Sequence, residues 1–382
     1  MFYRASDIIS CRALFFIIAF YIGLWTIRIP TIKDQLLTNY VGIGYIFASF
    51  AFGSILIMAC SNYIIKKFSS KKVLLIAGIV QGILWLVVPY VSSLNFFIIL
   101  AFIFGWYYGI HEVAMNLQAS NIEKRENKSM MSGFHAFFSL GILLGSFFTS
   151  IMLELQLSFI LNVSIYIAIL LPLNIFFVSA LKEDIDDDSE GKSNIFFFWP
   201  LLIFLLVILT IVDSLCEGGV DAWAALYMRD AIGVDGFQIG IATIFFNLFM
   251  VIGRLMGDLI RDKLGVYRFL ISLISLSVIG LIIIFNYNSI LSSVIGFSIL
   301  GFGISSIVPL AYSLAGKVKG IDSAVGISII SIAAYGVFMI APLFMGFIAN
   351  YFGIKFVFTP MIGLFLLCLI IVIYFKNQFI KN

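Results

Sequence analysis

KEDIDDDSEGKSN, residues 182–194, is the longest polar stretch in the chain and lies at its middle. It is acidic and poor in apolar residues, the composition of a solvated, flexible connector. On both sides of it, apolar runs long enough to cross a bilayer follow one another to either end of the chain. Of 382 residues, 62% are hydrophobic and only 11% charged, with a mean hydropathy of +1.13. A soluble protein of this length needs a charged shell, and there is too little charge here to make one. The chain therefore reads as an all-α, multi-pass membrane protein.

Polar breaks cut the apolar sequence into about twelve helices of roughly twenty residues or more. They run over 10–30, 41–64, 72–90, 95–119, 130–153, 158–181, 195–225, 237–259, 268–286, 290–315, 323–348 and 356–376. The connector splits them six and six. This predicts an N-terminal six-helix bundle (1–181), a cytoplasmic linker (182–194) and a C-terminal six-helix bundle (195–382). A plain loop within one domain is the simpler alternative. Alternate loops differ sharply in basic residues. One set carries Lys66, Lys67, Lys71, Lys72, Lys124, Arg125, Lys128, Lys182, Lys192, Arg261, Lys263, Arg268, Lys317 and Lys319, and the other only Arg28, Lys33, Arg229 and Lys355. The positive-inside rule then places both termini in the cytoplasm.

Several function classes find no support. A net charge of +3, with the bases in short loops, does not suggest nucleic acid as a partner. Cys11, Cys60, Cys216 and Cys368 lie in or beside apolar runs without metal-ligand spacing, so they read as small core residues. No phosphate-binding loop, metal cluster or nucleophile–base pair stands out, so neither an enzyme nor a cofactor is expected. The run Ala13–Ile27 follows Arg4 and Arg12 but precedes no small-x-small cleavage site, and is expected to be an uncleaved first span.

The two halves repeat at an offset of 196 positions. Gly23 falls on Gly219, Gly44 on Gly240, Gly105 on Gly301, Ala119 on Ala315 and Ser132 on Ser328, and the loop KKFSSKK (66–72) falls on DKLGVYR (262–268). Two six-helix halves repeated in parallel is the plan of the major facilitator fold, whose substrate site lies near the midplane between the halves. The loop GDLIRDKLG (257–265) resembles that superfamily's acidic-basic-x-Gly loop. Asp262, Lys263 and Gly265 are what the resemblance offers as a conformational latch, and Arg254 and Asp258, four apart beside it, join that latch as candidates. The N-terminal copy, KKFSS, has neither the acid nor the glycine. GFHAFFSLGILLGS (133–146) and GVFMIAPLFMG (336–346) look like the glycine-rich fifth helix and its copy, where small residues let helices approach closely. WTIRIPTIKDQL (25–36), GIHEVAMNLQASNIEKR (109–125) and EGGVDAWAALYMRD (217–230) resemble the bacterial fucose:proton symporter-like permeases of the inner membrane. The basic residue that many proton-coupled members carry in helix 4 is absent. Glu112 stands in that region, as an acid does in fucose-permease-like proteins.

A charge at the bilayer centre costs at least about 2.5–3.5 kcal/mol, so ionisable residues inside spans are functional candidates. In span 4, Glu112 and Asn116 are four apart and share a face, with His111 beside them. His135 in span 5 lies at comparable depth. In span 7, Asp213, Glu217 and Asp221 form a stripe, with Asp221 expected near the outer surface; Gly218 and Gly219 follow Glu217 and offer either a loosened helix or close packing. Desolvation favours the neutral form of a carboxyl, which suits a proton carrier. Glu112, Glu217, Asp213 and His135 are thus the proton-coupling candidates, against the plainer reading that they join helices. Tyr21, Trp25 and Tyr107 offer aromatic faces with polar tips to a sugar ring, and Asn116, Asn247 and Ser305 are further substrate-binding candidates. Arg28 precedes Pro30 and is expected to snorkel or pair with Asp34, and Arg254 and Asp258 to form an ion-pair cluster with the 262–265 loop.

These readings predict a monomeric secondary transporter of a small polar solute (a sugar, polyol or related metabolite). It would work by alternating access and be driven by protons. An exporter of drugs or metabolites on the same fold is the first rival. A non-transporting membrane sensor or enzyme is the second.

Overall fold

The computed structural model describes residues 6–126, 130–182, 199–315, 318 and 323–380; residues 183–194 of the connector lie outside this set. Among the described residues, twelve helices are long and apolar enough to cross a membrane. They are α1 Asp7–Gln35, α2 Tyr40–Ser61, α3 Ser70–Tyr90, α4 Leu94–Ile122, α5 Gly133–Glu154, α6 Phe159–Ala180, α7 Leu201–Ile232, α8 Gly236–Gly257, α9 Leu259–Asn286, α10 Ile290–Ala315, α11 Ile329–Tyr351 and α12 Ile354–Tyr374. Only helices or closed barrels satisfy every backbone group in lipid, and runs this apolar have no polar face to offer water. Side chains cap the open N–H groups at several helix starts: Ser6 on α1, Asn39 on α2, Ser158 on α6, and a reciprocal Ser289–Ser292 pair on α10.

The chain divides into two compact units, Met1–Asp188 with Asp235–Phe237, and Ser189–Val234 with Gln238–Asn382. In the first, α1 packs on α5, α6 and α4, α2 on α4, and α3 on α4 and α6. In the second, α7 packs on α11, α12 and α10, while the continuous α8–α9 element packs on α10 and α12. The second set is the first with six added to each helix number.

The repeat holds at the level of atoms. A Cβ on Gly105 would lie 1.9 Å from the carbonyl oxygen of Phe50. One on Gly301 would lie 2.2 Å from that of Phe246. Both partners are shifted by the same offset of 196, so α2–α4 and α8–α10 meet through one inherited contact. Gly141 and Gly145 likewise let α5 reach the backbone of α1 at Phe16 and Phe20.

Gly265, at the kink within the continuous α8–α9 element, has φ 74° and ψ 159°. Its counterpart at the same offset is Ser69, with φ 67° and ψ 149°. Sequence suggested that the N-terminal loop had lost its glycine feature. The residue has changed, but the left-handed backbone that glycine favours has been kept.

The first unit's loop end is stitched by other means. Asp7 accepts from the Arg125 guanidinium at 2.9 Å and from the Lys182 backbone N–H at 2.8 Å. Lys71 Nζ donates to the Leu181 carbonyl at 2.8 Å, and Gln118 bridges Ser70 Oγ and the Lys182 carbonyl.

At the far end of α1 the expectations change. The helix does not end at Pro30 but continues to Gln35, whose amide donates to the Val88 and Val91 carbonyls at the end of α3. Arg28 neither snorkels nor pairs with Asp34. It is 3% exposed, its Nε donates to Asn162 Oδ1 at 2.9 Å, its Nη2 donates to the Leu157 carbonyl, and its guanidinium lies over the Phe159 ring. Neutral oxygens and a ring face close at hand hold the cation inside the bundle.

Ser69 carries a backbone that costs a side-chain-bearing residue about 1–3 kcal/mol. Its hydroxyl also accepts from the Lys72 N–H at 3.4 Å, and losing a cap to glycine costs only a few tenths. Ser69→Gly is therefore expected to raise the thermal midpoint of the detergent-solubilised protein, and a lowered midpoint would contradict the strain assigned to this loop.

Candidate functional site

Each unit carries its own set of polar side chains inside the spans. In the first, Glu112 on α4 is 9% exposed. Asn116, one turn on, donates from its amide to the Glu112 backbone carbonyl at 3.0 Å, so it folds back on its own helix. His135 on α5 meets the edge of Phe15 at 5.2 Å between centroids and also contacts Phe138.

Tyr21 stacks on Trp85 at 6.0 Å, and Trp25 packs against Trp85, Phe47 and Phe97. The two α1 aromatics thus belong to one ring cluster, with Tyr21 8% exposed and Trp25 half-buried. Tyr107 is half-buried, and its backbone carbonyl accepts from Gln81.

The second unit gathers more charge. Asp213, Glu217 and Asp221 lie on one stripe of α7, as their four-residue spacing requires. Arg254 of α8 comes to Glu217, with Nη2 at 3.2 Å from Oε1 and 3.4 Å from Oε2. Its Nε donates to the carbonyl of Ser305 at 3.3 Å. That carbonyl is available because α10 breaks at Ser305–Ser306, between Ile290–Ile304 and Ile307–Ala315. Ser305 Oγ turns back to the Phe302 carbonyl. Gly253 and Gly257 leave room for the two serine hydroxyls, which a Cβ on either would meet at 2.3 and 2.4 Å. Arg254 thus closes a helix break on one side and neutralises a carboxylate on the other.

Asp213 is 1% exposed, and its Oδ1 has no hydrogen-bond partner. Asp221 was expected at the outer surface. The helix instead runs on to Ile232, keeping Asp221 within the span with an unpartnered, buried Oδ1 and the Asn247 amide beside it. Asn247 is 2% exposed and donates to the Thr243 carbonyl. Gly218 and Gly219 do not loosen α7: the helix is continuous, and a Cβ on Gly219 would lie 2.6 Å from Met361 Cε, so close packing explains it.

Of the latch candidates, Asp262 accepts from neighbouring Arg261, Lys263 is exposed, and Gly265 forms the bend. The Asp258 side chain lies outside the described residues. Arg254 is tied to the α7 stripe, a partner that the reading of the loop alone did not anticipate. Sequence reasoning also passed over Gln81, Asn162 and Asn174, three buried amides on α3 and α6. Their signal was an amide standing in an otherwise apolar span.

A family model described as "Major Facilitator Superfamily" matches residues 13–212 and 202–379. An uncharacterized MFS-type transporter of Yersinia pestis is 30% identical over 349 residues, covering 90% of this chain and 89% of its own. The membrane protein MosC of Rhizobium meliloti is 23% identical, over 89% of this chain and 83% of its own. Among solved structures, a mutant of the nucleoside transporter NupG superposes with a TM-score of 0.76 at 11% identity, covering 97% of this chain and 99% of that one.

Removing one member of the Arg254–Glu217 pair strands the other within the spans. Both side chains are about a quarter exposed, at 23% and 28%, so the cost should stay near 1–3 kcal/mol. Arg254→Met is expected to lower the thermal midpoint, and adding Glu217→Gln should recover much of the loss. Additive losses in the double variant would contradict the pairing.

Proposed function

The chain belongs to the major facilitator superfamily and is a multi-pass transporter of a small solute, and we propose that it carries a small polar molecule (a sugar, polyol or related metabolite) together with protons. The observation that carries this reading is the charge balance of the α7 stripe among the described residues. Three carboxyls, Asp213, Glu217 and Asp221, face one guanidinium, Arg254. One cation balances one carboxylate, and charge in the membrane must be neutralised. Protons are the counter-charge left for the other two. A stripe that must hold protons when shielded and can release them when wetted is the device a proton-coupled carrier needs.

Glu112 is assigned the corresponding task in the first unit, with His135 on the neighbouring helix as its candidate proton partner. Trp25, Tyr107, Asn116, Asn247 and Ser305 are the substrate-binding candidates, joined by the hydroxyl of Tyr21. The latch role proposed for Asp258, Asp262, Lys263 and Gly265 is to hold one conformation at the α8–α9 turn. Asymmetry of Lys and Arg among the loops supports placing both termini in the cytoplasm, and the carrier is assigned to the bacterial inner membrane as a monomer. Alternating access then follows if protonation and solute each favour a different balance of the two faces.

Glu112→Gln is expected to abolish uphill accumulation of solute in energised vesicles while leaving exchange across preloaded membranes intact. Unchanged uphill uptake would remove Glu112 from coupling.

A further inference from the structure

Inside the first unit, α1, α3, α4 and α6 surround a small cavity, of whose lining the transport reading uses only Tyr21. Its polar lining comes from Tyr21, Gln81, His111 and Asn174, and aliphatic side chains and Gly78 complete the wall. All four polar residues are more than nine-tenths buried, at 8%, 5%, 2% and 4% exposure.

Hydrogen bonding fixes the chemistry of this wall. Gln81 Nε2 lies 3.2 Å from the Tyr107 carbonyl oxygen. That oxygen can only accept, so the Gln81 atom facing it is the amide nitrogen. The same nitrogen lies 3.2 Å from His111 Nδ1. An amide nitrogen does not accept, so Nδ1 accepts and the ring proton sits on Nε2. His111 Nε2 is buried without a partner, as is Asn174 Oδ1. A donor and an acceptor therefore line one cavity, both unsatisfied. Gly78 keeps Asn174 in place: a Cβ there would lie 1.9 Å from Asn174 Nδ2.

We infer that this cavity binds one ordered water molecule, which accepts from His111 Nε2–H and donates to Asn174 Oδ1. The occupant is small because the space is small. It is neutral because the wall carries no acid and no permanent base. Water, unlike a cation or anion, serves a donor and an acceptor at once, and buried polar cavities of this kind are ordinarily filled by it. Tyr21 brings the one hydroxyl among the lining side chains. The water ties α4 to α6, and through Gln81 to α3, so it fixes the roll of α4 about its axis.

The direct test is an experimental map of the unmodified full-length protein in lipid nanodiscs, at a resolution that shows ordered waters elsewhere in the helices. A separate peak within hydrogen-bond distance of both His111 Nε2 and Asn174 Oδ1 is expected. An empty cavity in such a map, or a direct His111–Asn174 hydrogen bond, overturns the inference. A double-mutant cycle gives a second measurement that does not depend on transport. His111→Phe and Asn174→Leu should each lower the thermal midpoint by stranding the other group, and the combined variant should be no less stable than the worse single one. Strictly additive losses would show that no shared water links them.

Discussion

A charge placed in hydrocarbon must find its partner inside the protein, and this constraint organises the whole molecule. Arg28 meets it with Asn162, a backbone carbonyl and the face of Phe159. Arg254 meets it with Glu217 and with the carbonyl released where α10 breaks. These contacts, with neutral ones such as Gln81 to Tyr107 and Gln35 to Val88, help select which helices sit together at depth. The apolar packing is permissive: small residues allow close approach, but many faces of a leucine- and isoleucine-rich helix could be apposed. The polar contacts select among them.

Duplication explains why two such arrangements exist in one chain. The helix-packing order of the first unit recurs in the second, and the Gly105–Phe50 approach recurs as Gly301–Phe246. The polar groups have diverged on this shared frame. The first unit holds an acid on α4 and neutral amides on α3 and α6, while the second holds an acidic stripe and its arginine on α7 and α8. A common scaffold thus carries two different sets of titratable groups.

Much of this was legible in the sequence. The twelve spans follow from hydropathy alone, because a bilayer-length apolar run has few other uses. The stripe at 213, 217 and 221 follows from helical periodicity. Which neighbour each residue faces did not follow. Periodicity gives a residue's angle around its own helix but not the helix across from it, so Arg254 was read with its own loop rather than with Glu217. Asp221 was placed at the surface because the end of α7 was set too early; the helix runs on through a wider turn at Met228–Ile232. Ser69 shows a different limit: backbone conformation outlived the residue type that advertises it.

In the proposed carrier the carboxyls of α4 and α7 balance their charge with protons that move when solute moves. The most direct measurement is the pH inside sealed proteoliposomes holding a trapped fluorescent indicator, while a panel of sugars and polyols is added outside one at a time. For the transported solute the lumen should acidify, and it should stay unchanged in vesicles without the protein. Entry of a labelled solute to equilibrium with no change in lumenal pH would contradict the claim.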